Sequence, residues 1–327
     1  QDPKKCWNMI NTKKNTSNIP GVITSNDKIL TSPQEIVEAF AHQFASVFNY
    51  SNDHFCDNAC DIYLGSCKFC DKVCCPSVIS HNICDNSNDQ GCVISDFLPT
   101  FCVYDSDLLK AAKKVKPNYI CGPDNIPAFI VADCISCFMI PLLHVFNLIL
   151  RNCVYPHHWK ISRIMPVPKS GDKPDLKNDR PITLLNNFAK LFESILSERL
   201  YLYIAKYIIP DQHGFMRGKS TTTNLCSFTN FVSQALDQRL QVDVVYTDLT
   251  KAFDKVNHCI LFSKLEKFGI CDSLVLLIRS LLTCRQQYAE YNGYRSQIFY
   301  VNTGVAQGSN LGPLLFIIFF NDIITYI

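Results

Sequence analysis

The 327-residue sequence predicts an α+β fold, and three stretches carry that reading. Val242–Thr247 (VDVVYT) is short, β-branched and free of Gly and Pro, and it runs directly into Asp248. Lys251–Phe268 then returns apolar residues at helical spacing, at Ala252, Val256, Ile260, Leu261, Leu265 and Phe268, and stops at Gly269. Ile161–Lys169, in which Pro166 and Pro168 cannot donate to a ladder, reads as an edge-type strand; it turns at Ser170-Gly171-Asp172 and returns through Arg180–Leu185. The first two stretches put Asp248 at a strand-to-helix corner. A carboxylate there reaches solvent and can hold a hard divalent cation, although the same residue would also serve as a plain helix cap.

The composition, 47% hydrophobic and 18% charged, is that of a folded chain rather than a disordered one. Two apolar stretches are long enough to raise a membrane. Phe129–Leu150 carries Asp133, Pro141 and His144, and Leu314–Ile327 is interrupted by Asn321 and Asp322, so both are expected to be buried helices and no membrane partner is expected. The chain starts at Gln1 and ends inside an apolar run, which predicts a piece of something longer. Net charge is only +2, but residues 101–219 hold 16 basic and 10 acidic side chains, the segment where a nucleic-acid backbone would be expected to lie; a solvated surface would give the same excess.

Residues 1–48 open with a basic, Asn-rich segment around Trp7, turn at Pro20-Gly21, and lead through Ser32 and Glu35, spaced as a capping box, into a docking helix with Ile36, Phe40, Phe44 and Phe48 on one face. Residues 49–100 are acidic and cysteine-rich: Cys56, Cys60, Cys67, Cys70, Cys74, Cys75, Cys84 and Cys92 fall in one window with His54 and His81 nearby. A zinc site at Cys67-x-x-Cys70 with Cys74 and Cys84 is weighed against scattered free thiols in an insertion, and the irregular spacing favours the thiols. Asp105–Lys116 is a short basic helix closed by Pro117, and Cys121–Pro127 is a tight turn before a long apolar helix from Ala128.

Phe188–Ile204 is a packing helix, and Gln212–Thr221 is a glycine-punctuated basic loop in which Arg217 and Lys219 suit phosphate contacts and His213 is structural. Leu274–Leu282 is helical, and Gln286–Tyr291 pairs with Gln297–Val301 around Asn292-Gly293. In Gly304–Phe316 the glycines recur every four residues, which matches neither a Walker nor a dinucleotide loop but lets backbone approach a ligand closely; Pro313 suits the first turn of a helix.

Several of these strings resemble, in order, the reverse transcriptases of non-LTR (LINE/Jockey-like) retrotransposons. Asp248-Leu249-Thr250-Lys251-Ala252-Phe253 resembles the first polymerase motif, Gly304–Phe316 the second, Cys121–Pro127 the GPDxIP turn, Lys169 and Arg180-Pro181-Ile182 the fingers hairpin, and Gln212–Thr221 the QxGFxxGxST segment. The resemblance implies the fingers and part of the palm of a right-hand polymerase, without a thumb. It divides the chain into a connector (1–48), an insertion or linker (49–100), fingers (101–235) and partial palm (236–327), with an endonuclease upstream.

By the same resemblance the chain is an RNA-directed DNA polymerase working on RNA template, DNA primer and deoxynucleotide, with two magnesium ions roughly 4 Å apart. Asp248 would be the catalytic metal ligand, assisted by the Leu249 carbonyl. Phe253 would exclude a 2′-hydroxyl, Lys169 and Arg180 would hold the triphosphate, and Gln307 with Gly308 would lie against the nascent base pair. The third motif, aromatic-x-Asp-Asp, is not in the sequence, so the magnesium site is expected to be incomplete and residues 1–327 alone inactive. Asp254 is read as a member of a structural ion pair. An intracellular location, nucleus and cytoplasm, goes with such an element. Two other readings stand beside this one: a non-catalytic remnant that binds nucleic acid, and a cysteine-rich zinc-binding interaction module.

Overall fold

A computed structural model describes residues 23–25, 28–48, 102–168, 176 and 179–323. The cysteine-rich segment with its candidate zinc ligands, the segment around Trp7, and Lys169 lie outside the described residues. The elements are β1 (Ile23–Ser25), β2 (Lys28–Leu30), α1 (Pro33–Ala45), α2 (Asp105–Ala112), α3 (Ala128–Asp133), α4 (Ile135–Asn152), α5 (His157–Lys160), β3 (Ile161–Pro168), β4 (Asp179–Leu184), α6 (Asn187–Ile204), α7 (Thr221–Asp237), α8 (His258–Lys267), α9 (Asp272–Leu282), β5 (Arg285–Tyr291), β6 (Tyr294–Arg295), β7 (Phe299–Val301) and α10 (Gly312–Phe320). Mixed helix and sheet of this kind agrees with the α+β expectation.

One sheet organises the rest. β3 pairs antiparallel with β4 and parallel with β5, which in turn pairs with β6 and β7. β3 is not the edge strand expected, since it lies between β4 and β5: Arg163 and Ile164 are flanked on both sides, whereas Pro166 and Pro168 sit where only β4 runs alongside, so a missing N–H costs no ladder bond toward β5. The return strand after Asn292-Gly293 is split into β6 and β7 rather than continuous.

The α1 helix docks on the sheet as its apolar face predicts. Ile36, Val37, Phe40, Ala41 and Phe44 are buried against Ile164, Ala289 and Tyr291, with the Phe40 and Tyr291 rings 6.3 Å apart. Ser32 is its N-cap residue but accepts no side-chain cap bond, so the expected capping box is not formed. On the other side a larger helical core gathers α2, α4, α6, α8, α9 and α10, with Phe146, Tyr155, Trp159 and Phe192 forming an aromatic cluster at its centre. The Cys121–Pro127 turn is clamped to the root of both layers. Arg163 Nη2 donates to Cys121 O at 2.6 Å, Asn187 donates to the carbonyls of Ile120 and Ile126, and a Cβ on Gly122 would come within 2.6 Å of the Asn186 backbone, which is why glycine stands there.

Three further expectations are corrected. Val242–Thr247 forms no strand: residues 240–249 have no regular structure, and Val245 and Tyr246 are 85% and 84% exposed. A strand is defined by its partner, and no ladder among the described residues includes this stretch. The helix expected from Lys251 begins only at His258, because Lys251 adopts φ 55°, in the left-handed region through which no α-helix passes, and Asn257 caps the helix by accepting from Ile260 N. Asp248 therefore precedes a turn, not a helix. Finally, the long apolar helix from Ala128 breaks at Cys134 into α3 and α4. Of α4 only Leu142, Phe146 and Ile149 are buried, and Ile140 is 82% exposed; by length and composition alone this helix could cross a membrane. The Leu314–Ile327 stretch behaves as expected where it is described, with Leu314, Leu315, Ile317 and Ile318 buried in α10.

Candidate functional site

Between β4, the Lys251–Lys255 turn and the loop before α10 lies a cavity of about 240 Å3 lined by Arg180, Thr183, Lys251, Asp254, Gln287 and Gln307 among others. Two residues expected at a substrate, Arg180 and Gln307, therefore share one cavity. Arg180 reaches it from β4, opposite Val167 of β3, and is exposed. Gln307 reaches it from a loop docked on that same strand: Thr183 N donates to Gln307 O at 2.9 Å. Gly308, at φ 115°, lets the loop lie flat there, since a Cβ would stand 2.7 Å from Thr183 O.

The loop is also locked to the turn that follows Asp248. Gly304 N donates to Val256 O and Val305 N to Phe253 O, each at 2.8 Å, and Gly304, at φ 80°, is so close to Asp254 that a Cβ would meet its carbonyl oxygen at 2.6 Å. Thr303 Oγ1 donates to Asp254 O, and the Gln307 amide nitrogen donates to both Asp254 carboxylate oxygens, at 3.1 and 3.3 Å. Asp254, 8% exposed, thus forms no direct ion pair among the described residues, correcting the expectation for it. Burial pushes its carboxyl above the ordinary range, opposed by the Gln307 bond and by the charges of Lys251 and Arg285.

Behind the cavity runs a buried polar network. Glu193 of α6 accepts from Asn310 N at 3.1 Å and from the Tyr155 hydroxyl at 3.5 Å. Arg285 of β5 is 5% exposed, within electrostatic range of Glu193, Tyr155 and Asp254; burial lowers its pKa, and Glu193, Tyr155 and Asp254 raise it. Burial likewise raises Glu193, and Arg285 and the bonds from the loop lower it. Asp254, Glu193 and Arg285 were missed in the sequence as site residues. For Asp254 a signal existed, a second acidic residue six positions after Asp248; for the other two only a fold reveals the pairing.

The remaining expected residues sit apart from the cavity. The Phe253 ring is partly buried in an aromatic ladder, 4.8 Å from and nearly parallel to Phe316 and 5.7 Å from Phe215, which ties it to the basic Gln212–Thr221 loop. On that loop Arg217 is engaged: both terminal nitrogens donate to Glu198, at 2.9 and 2.7 Å, and its guanidinium stacks 4.3 Å over Tyr201. Lys219 donates to Pro210 O, and His213 is bonded to Thr223 Oγ1 at 2.8 Å. Glu198 also takes Lys114 at 2.7 Å, and Arg217 followed by Lys114 holds its carboxyl down to about 2. Asp248 and Leu249 are exposed on the irregular segment. One carboxylate and one carbonyl do not fill two octahedral magnesium shells, and no group of three His, Cys, Asp or Glu among the described residues is arranged for a metal. The described residues do not fit a two-ion site.

Residues 167–327 match the family model described as reverse transcriptase (RNA-dependent DNA polymerase). A probable RNA-directed DNA polymerase from transposon BS of Drosophila melanogaster is 30% identical over 236 residues, 69% of this chain and 25% of the relative. An RNA-directed DNA polymerase from mobile element jockey of the same species is 31% identical over 185 residues, covering 56% of this chain and 20% of that protein. A retrovirus-related Pol polyprotein from a type-1 retrotransposable element R2 of Popillia japonica is 31% identical over 169 residues, 51% and 23% of the two chains. The chain spans at most about a quarter of the length of these relatives.

Proposed function

From the premise that residues 167–327 belong to the reverse transcriptase family, in the company of non-LTR retrotransposon polymerases, we propose that this protein contributes the deoxynucleotide-binding part of an RNA-directed DNA polymerase. The carrying observation is that Arg180 and Gln307 line one cavity while Gln307 is bonded through its backbone to the strand that bears Arg180.

In this reading a primer 3′-hydroxyl attacks the α-phosphate of a deoxynucleotide and pyrophosphate leaves. The Arg180 guanidinium binds the triphosphate, a load that its planar fork of donors suits, and by the family resemblance Lys169 shares that load. Gln307 and Gly308 support the base pair, and Phe253, stacked on Phe316 outside the cavity lining, is assigned to the sugar by the family resemblance. RNA template and DNA primer run past Arg217 and Lys219. Residues 101–235 act as fingers and 236–327 as part of the palm, inside the cell. Magnesium is what the family implies at Asp248 and Leu249, a donor set that the described residues do not assemble.

The test is primer extension on a ribo-template by this chain joined to downstream sequence carrying an aromatic-x-Asp-Asp motif and a thumb. Incorporation is expected there, abolished by Asp248→Asn, with KM for deoxynucleotide raised on the order of tenfold or more in Arg180→Ala. Equal incorporation by wild type and Asp248→Asn would sink the assignment of Asp248, and an unchanged KM in Arg180→Ala would sink that of the cavity.

A further inference from the structure

We propose that Asp254 is a positioning residue that fixes which end of the Gln307 side chain meets the substrate, holding the amide nitrogen so that the carbonyl oxygen is the end left for the ligand. The inference deepens the reading of the cavity as a deoxynucleotide site and rests on it. An amide side chain has one donating and one accepting end, and an ionised carboxylate only accepts. Gln307 Nε2 lies 3.1 and 3.3 Å from the two Asp254 oxygens, so the donating end is turned toward Asp254 and Oε1 is turned away from it. Among the described residues Oε1 accepts no hydrogen bond, and both side chains line the same cavity.

Asp254 is well built for this task. It is buried, its amide is bonded to Lys251 O at 3.0 Å, its carbonyl accepts from Thr303 Oγ1 at 3.0 Å, and its peptide is packed against the bare Cα of Gly304. These contacts fix the backbone from which the carboxylate reaches Gln307. A group that meets the outward Oε1 of Gln307 must accordingly bring a donor, a hydroxyl or an N–H of the nucleotide, because an acceptor would face its lone pairs.

The test has two arms. In the 327-residue chain, side-chain NMR of 15N-glutamine protein follows the Gln307 amide, assigned by its loss in Gln307→Glu. Its hydrogens are expected to exchange about tenfold or more faster in Asp254→Leu, while the backbone amides of Gly304 and Val305 stay protected. Equal exchange in the two proteins overturns the contact, whether or not the chain is a polymerase. The second arm exchanges donor and acceptor in the primer-extending form. Gln307→Glu sets two carboxylates against each other and is expected to raise KM for deoxynucleotide roughly tenfold, with kcat moving less. Adding Asp254→Asn places an amide nitrogen where it donates to the carboxylate introduced at position 307 and again leaves an acceptor outward, so most of the loss is expected to be recovered. A double variant no better than Gln307→Glu overturns the positioning role, and it does so even if Asp254→Leu does not fold. If KM moves in none of these variants while the NMR arm holds, the contact stands and the deoxynucleotide reading of the cavity falls.

Discussion

Acid should loosen the Gly304 turn through one histidine. His258 opens α8, is 9% exposed, and its Nε2 lies 2.8 Å from Gly304 O; since a carbonyl only accepts, Nε2 carries the proton and donates. Burial holds the imidazole down to about 4 from its ordinary 6.5, the bond to Gly304 opposes this, and nearby Arg285 adds to it. The unfolded chain therefore binds a proton near pH 6.5 that the folded chain refuses until about pH 4. Between those values the unfolded state holds more protons, so stability falls as pH falls, and it levels off below the folded pKa. The His258 contribution amounts to about 2 kcal/mol lost by about pH 5, rising to roughly 3 kcal/mol near pH 4. Urea midpoints at about pH 7.5 and about pH 5 should be compared for wild type and His258→Gln, whose amide still donates to Gly304 O but does not titrate. Wild type should lose about 2 kcal/mol more than the variant across that interval. Equal losses would refute the argument.

Two further outcomes follow from the geometry. Phe253→Val, in the primer-extending form, should admit ribonucleotides while deoxynucleotide incorporation persists, and by opening the stack on Phe316 it should cost about 1–3 kcal/mol in urea unfolding; unchanged sugar selectivity counts against the gate. Glu198→Gln should release Arg217 and Lys114, tighten binding of a single-stranded RNA measured by fluorescence anisotropy, and steepen its salt dependence by about one ion. Its stability cost should stay near 1 kcal/mol or less, because the cluster is open to solvent. The Glu198 carboxyl is held down to about 2, so that contribution is present above about pH 4.5 and is lost as pH falls toward 2. An unaltered salt slope would show that Arg217 does not touch the phosphates.

The features legible in the sequence are those whose cause is local or periodic. The apolar stripe of α1, the proline-laced hairpin of β3 and β4 and the packing face of α6 follow from residue type and spacing, whereas Gly304 and Gly308, read as allowing close approach to a ligand, are packed on the chain's own backbone at Asp254 and Thr183. What failed needed information from elsewhere in space. Val242–Thr247 has the composition of a strand, but pairing is a property of two segments. Lys251 carries no mark of its left-handed conformation, which its bonds to Asp254 N and Lys255 N accompany. The α7 helix was missed in the sequence although Ser220, whose hydroxyl accepts from Thr223 N, caps it, and none of its residues is buried. Arg180 and Gln307, expected from motifs, line one cavity, whereas the Asp254 contact required the turn.

The parallel pairing of β3 with β5 bears on how the chain assembles. Ser162 and Gln286 meet across the sheet although 124 residues separate them, and α6, α7, α8 and α9 all lie between. The cost of closing so long a loop falls before any ladder bond repays it, so the helices can form early from local contacts while the sheet waits for β5. During synthesis, the Ile161–Ile164 edge of β3 stays open until residues 286–289 have left the ribosome. That edge is the part of β3 without proline, and for that interval it is the stretch of backbone most exposed to pairing with the wrong partner.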